Sequence, residues 1–227
     1  NKILRVDFGT NNSRIEGRPR REIFDVIISD LSTIKSKNLL LTHFHMDHLS
    51  GLLYMMKKKD ISVDFGKIYL PDVFSKKEMS RTLVLLLLAD LLKESGLPSR
   101  QVSLFALVDA LLENKQNVEL LSRGKLFENK YQALWPDTDV IRKETDEVYN
   151  RICEDGKFKE VMDVLLEFAE KLRLIVWSMT AEGNKPAETV EKETDLTASE
   201  LTEQPEVRQK IIRAYVYAVS YTHLRAH

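Results

Sequence analysis

The stretch Leu39-Leu40-Leu41-Thr42-His43-Phe44-His45-Met46-Asp47-His48-Leu49-Ser50-Gly51-Leu52 decides the reading of this chain. Three apolar residues suited to a buried strand run directly into His-x-His-x-Asp-His, and a helical pattern follows. The chain has five histidines in 227 residues, so three of them within six positions is a specific signal. In an extended segment His43 and His45 leave the same face and can meet one ion. After a turn, Asp47 and His48 can approach a second. Imidazole nitrogen with carboxylate oxygen suits zinc, iron or manganese better than calcium or magnesium, and the spacing does not choose among the three.

The flanking residues supply an α/β pattern. Residues 3–8 read as an opening strand and 9–19 as a polar loop. Residues 21–31 read as a helix with Ile23, Phe24, Ile27, Ile28 and Leu31 on one face. Residues 49–59 form a second helix, whose basic end opposes the negative end of its dipole. Residues 67–70 form a strand closed by Pro71. Strand and helix alternate through residue 75, which predicts an α/β fold.

From residue 76 the texture changes. Residues 78–94 and 99–114 read as leucine-rich helices, split by Gly96-Leu97-Pro98. Short strands are expected at 118–121 and 131–135 around a turn at Arg123-Gly124-Lys125, with Trp135 packing at a strand end. Helices follow at 139–153 and 157–174. Residues 76–180 therefore read as a helix-rich insertion with two short strands. Residues 181–206 hold eight acidic and two basic residues and no aromatic one. Too little apolar surface is available there to offset ordering entropy, so a mobile acidic loop is expected. Val207, Ile211, Tyr215 and Val219 give a last amphipathic helix over 207–219.

Composition bounds the function classes. Lys+Arg number 34 against 35 Asp+Glu, for a net charge of −1, and 43% of residues are hydrophobic. That balance is ordinary for a globular chain and gives no global attraction to nucleic acid or anionic lipid. The longest apolar run, residues 83–89, is too short to cross a bilayer, so no membrane segment is expected and the cytoplasm is the expected compartment. A single cysteine, Cys153, excludes a disulfide framework and a cysteine-based zinc cage, and its thiol is expected to be inert. The chain begins at Asn1 inside a strand pattern, so it is expected to be cut upstream. Residues 220–227, Ser-Tyr-Thr-His-Leu-Arg-Ala-His, resemble a translated adapter read-through, which takes His223 and His227 out of the expected chemistry.

In order and spacing, His43-x-His45-x-Asp47-His48 after an apolar strand resembles the signature of the metallo-β-lactamase-fold hydrolases. Val6-Asp7-Phe8-Gly9 resembles that family's preceding Asp-x-Gly strand end. The resemblance covers about residues 3–70. It implies a four-layer αββα sandwich, incomplete here, with two divalent metal ions at one edge of the sheets. His43 and His45 would bind one ion and Asp47 and His48 the other. Asp7 would support a ligand imidazole; it reads equally well as a strand-terminating turn residue. The family's later histidine, bridging aspartate and final histidine have no counterpart, since no histidine lies between His48 and His223. The expectation is that the missing ligands lie beyond the authentic end; the other account is a degenerate site.

The activity the resemblance implies is hydrolysis by a metal-activated water on an ester, phosphodiester or related bond. Asp47 would bind a metal and orient the hydroxide. The alternative is a non-catalytic interaction module on the same fold, with the helical part as its working surface. A nucleic-acid-processing enzyme is a subclass of the first reading, and it calls for a basic patch flanking the metals.

Overall fold

Residues two apart on a strand share a face, and Leu39, Leu41, Ile68, Leu70, Val118 and Leu120 are none of them more than 5% exposed. Their common apolar face gathers short segments into one sheet. The computed structural model describes residues 3–58, 63–93, 104–154, 156–181 and 183. In chain order these form β1 (Ile3–Val6), a ribbon of β2 (Arg14–Ile15) and β3 (Arg18–Pro19), α1 (Arg20–Thr33), β4 (Lys37–Leu40), α2 (Met46–Met56) and β5 (Ile68–Pro71). A 3-10 turn at Lys77–Met79 leads into α3 (Ser80–Lys93) and α4 (Leu104–Glu113). Then come β6 (Val118–Leu121), β7 (Leu126–Phe127), β8 (Tyr131–Gln132), α5 (Thr138–Cys153) and α6 (Gly156–Ser178).

The fold is mixed α/β. Its main sheet is parallel throughout, in the order β1-β4-β5-β6, with Arg5 opposite Leu39, Leu39 opposite Ile68 and Ile68 opposite Val118. Parallel neighbours need crossovers, and the intervening helices supply them. Thr180, after α6, makes a further parallel bridge to Val118. The helices cover one face of the sheet through a continuous core that includes Leu83, Val84 and Leu87 of α3 and Met162, Leu165, Ala169, Leu172 and Val176 of α6. The opposite face carries a smaller cluster of Tyr69, Leu121, Phe127 and Ala133, against which Leu4 and Leu40 pack. There the Tyr69 hydroxyl donates to Glu128 Oε1 at 2.6 Å, and Asn38 donates to the same oxygen, which ties the β7–β8 ribbon to the sheet.

Several elements differ from the sequence expectation for physical reasons. The segment 118–121 does not turn back on 131–135; it joins the main sheet as β6, because Val118 and Leu120 align with Ile68 and Leu70 of β5. Residues 76–180 thus contribute a sheet strand as well as helices. The ribbon β7–β8 pairs separately. Trp135 is not packed: it is 58% exposed and Leu134 is 80% exposed, since the chain leaves the ribbon after Gln132. The expected polar loop 9–19 contains the ribbon β2–β3, closed by Glu16 and Gly17 at φ of 48° and 77°. Positive φ at both central residues is what a two-residue hairpin turn requires. Helix α2 starts at Met46, earlier than expected, and so takes Asp47 and His48 into its first turn. The acidic loop, apart from Ala181 and Gly183, the helix at 207–219 and the tail at 220–227 lie outside the described residues. Among the described residues no helix is long and apolar enough to cross a membrane.

Candidate metal centre

The site is built at the joint between the end of β1 and the start of α2. Phe8 N–H donates to the His48 carbonyl at 2.7 Å, and the Gly51 and Leu52 amides both donate to the Phe8 carbonyl, at 2.8 and 3.0 Å. This approach requires glycine at two places. A Cβ on Gly9 would lie 2.7 Å from the Leu49 and Ser50 nitrogens, and one on Gly51 would lie 2.6 Å from the Phe8 ring. Ser50 adds a reciprocal pair with Thr10, accepting from its amide and donating to its carbonyl, each at 2.9 Å.

That joint delivers Asp7 to the histidines. Asp7 sits in the left-handed region, at φ 53°. Its Oδ1 accepts from the Thr42 amide at 2.8 Å, and its Oδ2 accepts from the Thr42 hydroxyl at 2.8 Å and faces His48 Nδ1 at 2.7 Å. An imidazole that donates Nδ1–H to a carboxylate keeps Nε2 as its lone-pair atom. His48 Nε2 lies 3.7 Å from Asp47 Oδ2. The Thr42 hydroxyl gives its only hydrogen to Asp7, so towards His43 Nδ1, 3.0 Å away, it accepts. His43 is thereby also left with Nε2 as its open nitrogen. Thr42 takes a role that motif spacing does not reveal: one side chain orients both the Asp7 carboxylate and the His43 ring.

One donor atom from each of His43, Asp47 and His48 lies within 4.8 Å of the others, and this group can hold a metal ion. Sequence spacing pairs His43 with His45 and Asp47 with His48. In the structure His43 instead converges with Asp47 and His48, because the chain bends over residues 42–44 and α2 begins at once. The His43 and His48 ring centroids are 3.7 Å apart. His45, at the N-cap of α2 with extended backbone, stands edge-on to His43 at 4.7 Å. It flanks the group on the His43 side.

Electrostatics favour the ligand form. Burial holds the His43 imidazole below its ordinary pKa, and His48 and His45 beside it push the same way, against Asp7 and Asp47. Neutral imidazole is the form that binds metal. Phe44, between His43 and His45 in the chain, is buried edge-on against Phe74, with ring centroids 5.9 Å apart, while the Asp47 side chain stays 46% exposed. Asp7 follows β1 and Thr42-His43 follow β4, so the group occupies the carboxyl-terminal edge of a parallel sheet, where open α/β folds place their ligands. Two imidazoles and one carboxylate fit a borderline divalent ion.

Comparison with protein-family models, with curated proteins and with solved structures finds no match. Cys153, outside this site, is half-buried, and burial pushes its thiol pKa up.

Proposed function

We propose that this chain carries the metal site of a metal-dependent hydrolase of the metallo-β-lactamase-fold class, acting on an ester, phosphodiester or related bond. The observation that carries the reading is the convergence of His43, Asp47 and His48 at the sheet edge with Asp7 hydrogen-bonded behind His48. A parallel sheet with helices on one face is compatible with one half of the αββα sandwich. Zinc is the expected ion, at two positions, with His45 contributing beside His43. A bound ion would supply hydroxide at neutral pH by lowering the pKa of water from about 15.7 towards 7. His43 and His48 would hold the ion through Nε2, and Asp7 fixes the His48 tautomer. Asp47, whose side chain is 46% exposed, would orient the attacking water.

Zinc titration of the metal-free protein tests this directly. Stoichiometric binding is expected, with a loss of at least tenfold in affinity for His43→Ala and His48→Ala, and with zinc-dependent cleavage of a nitrophenyl phosphodiester that Asp47→Ala abolishes. A folded protein that takes up neither zinc, iron nor manganese would sink the reading.

A further inference from the structure

We infer that the ribbon β2–β3 and the start of α1 form a docking surface for the phosphodiester backbone of a nucleic-acid strand. The inference rests on the hydrolase reading for its catalytic meaning and names the substrate class of that site. Four arginines, Arg14, Arg18, Arg20 and Arg21, fall within eight residues. Arg14, Arg18 and Arg21 are exposed. The Arg14 and Arg21 side chains have no hydrogen bond or ion pair among the described residues. Arg18 faces Glu22 at 3.6 Å with both side chains more than half exposed, a pair of little energetic weight.

Arg20 ties the ribbon to the metal site. Its guanidinium donates to the Thr10 carbonyl at 3.0 Å and lies over the Phe24 ring. The same carbonyl accepts from Ser50, which follows Asp47 by about one turn of α2. One carbonyl therefore links the base of the basic ribbon to the helical turn that carries Asp47 and His48.

Local structure does not account for the charges of Arg14 and Arg21, whose side chains have no partner among the described residues. Arg20 and Arg21 occupy the first turn of α1, where cations oppose the helix dipole. A sequence that breaks a local rule beside a site of chemistry points to function there. The ribbon's only large apolar residue is the half-buried Ile15, so it has nothing to insert into a lipid surface. The arginines are spread along both strands and into the helix, which suits successive phosphates of a chain. No aromatic residue lies in residues 9–22, so the bases would not be read by stacking.

Fluorescence anisotropy with a labelled oligothymidylate, in chelator so that no metal is required, tests the surface. The whole chain is expected to bind, and Arg14→Glu, Arg18→Glu and Arg21→Glu together to weaken binding at least tenfold. The slope of log affinity against log salt should fall by about 2, from three lost contacts at roughly 0.7 each. Zinc stoichiometry should be unchanged in that variant. A control with Lys143→Glu, Arg151→Glu and Lys171→Glu on α5 and α6 should stay within twofold of wild type. The surface is refuted if wild type does not bind, if the control loses as much as the ribbon variant, or if phosphatidylserine vesicles capture the protein in preference to the oligonucleotide. Oligonucleotide binding that depends on the ribbon in a protein that binds no metal would keep the surface and remove the hydrolase.

Discussion

The β1–α2 joint and the layer of α3 and α6 are both buried, yet they are held by different forces. At the joint, backbone meets backbone: three amide–carbonyl hydrogen bonds surround Phe8, and Gly9 and Gly51 leave no room for a methyl group. In the helical layer, Leu83, Val84 and Leu87 of α3 and Met162, Leu165 and Val176 of α6 belong to one apolar cluster. Directional contacts fix atoms to within tenths of an ångström, which a set of metal donors needs. Apolar packing supplies most of the stability and tolerates some rearrangement. The molecule therefore separates precision from stability, and substitutions in the two regions should report different quantities.

Leu83→Ala removes a fully buried side chain from the helical layer and should cost about 2–5 kcal/mol, read from urea unfolding. Zinc affinity of the protein that remains folded should not change. Gly51→Ala should cost about 1–3 kcal/mol, because the added methyl group would meet both the Phe8 ring and the Phe8 carbonyl, and the end of β1 must shift. That shift moves the neighbouring Asp7, so zinc affinity should fall with it. If Gly51→Ala lowers stability and leaves zinc affinity intact, the joint is packing and nothing more.

Asp7→Asn sharpens the same distinction from inside the site. The amide keeps the size of the side chain but weakens its hold on His48 Nδ1 and on the Thr42 hydroxyl. Zinc affinity should drop about 10–100-fold, the usual cost of losing a partner behind a ligand histidine. Urea midpoints of the metal-free protein should move little. An Asp7→Asn protein with wild-type zinc affinity would return Asp7 to the role of a turn residue.

The legibility of the chain follows the range of the interactions. Leu39-Leu40-Leu41 and the faces of α1 and α6 are local periodic patterns, and the structure has a strand and helices there. The partner of β6 was not readable, because parallel pairing joins Val118 to Ile68 across fifty residues with no local mark. The ribbon β2–β3 was missed although Glu16-Gly17 offered a turn signal, since two-residue strands are too short to show alternation. Within the site, His43, His45, Asp47 and His48 were legible as metal-type residues from the motif. Their grouping was not: it depends on the bend at residues 42–44 and on where α2 begins. Thr42 gave no signal at all, because its part is played through Asp7, thirty-five residues earlier.

The smallest effect belongs to the helical side and to alkaline pH. Tyr149 of α5 is buried, with the Arg81 guanidinium 4.9 Å above its ring. Burial, with Cys153 beside it, pushes the phenol pKa up to about 12. An unfolded tyrosine gives up its proton near pH 10. Between about pH 10 and 12 the folded chain therefore holds a proton that the unfolded chain has lost, and stability falls as pH rises. Below pH 9 both states are protonated and the residue contributes no slope. Tyr149→Phe should flatten the decline of the unfolding free energy, read from urea curves between pH 10 and 12, by about 1 kcal/mol. Some decline should persist, because burial and Glu128 also raise the pKa of Tyr69 on the other face of the sheet. If wild type and Tyr149→Phe decline in parallel, the alkaline weakness lies outside the helical layer, and that layer's stability is apolar packing alone.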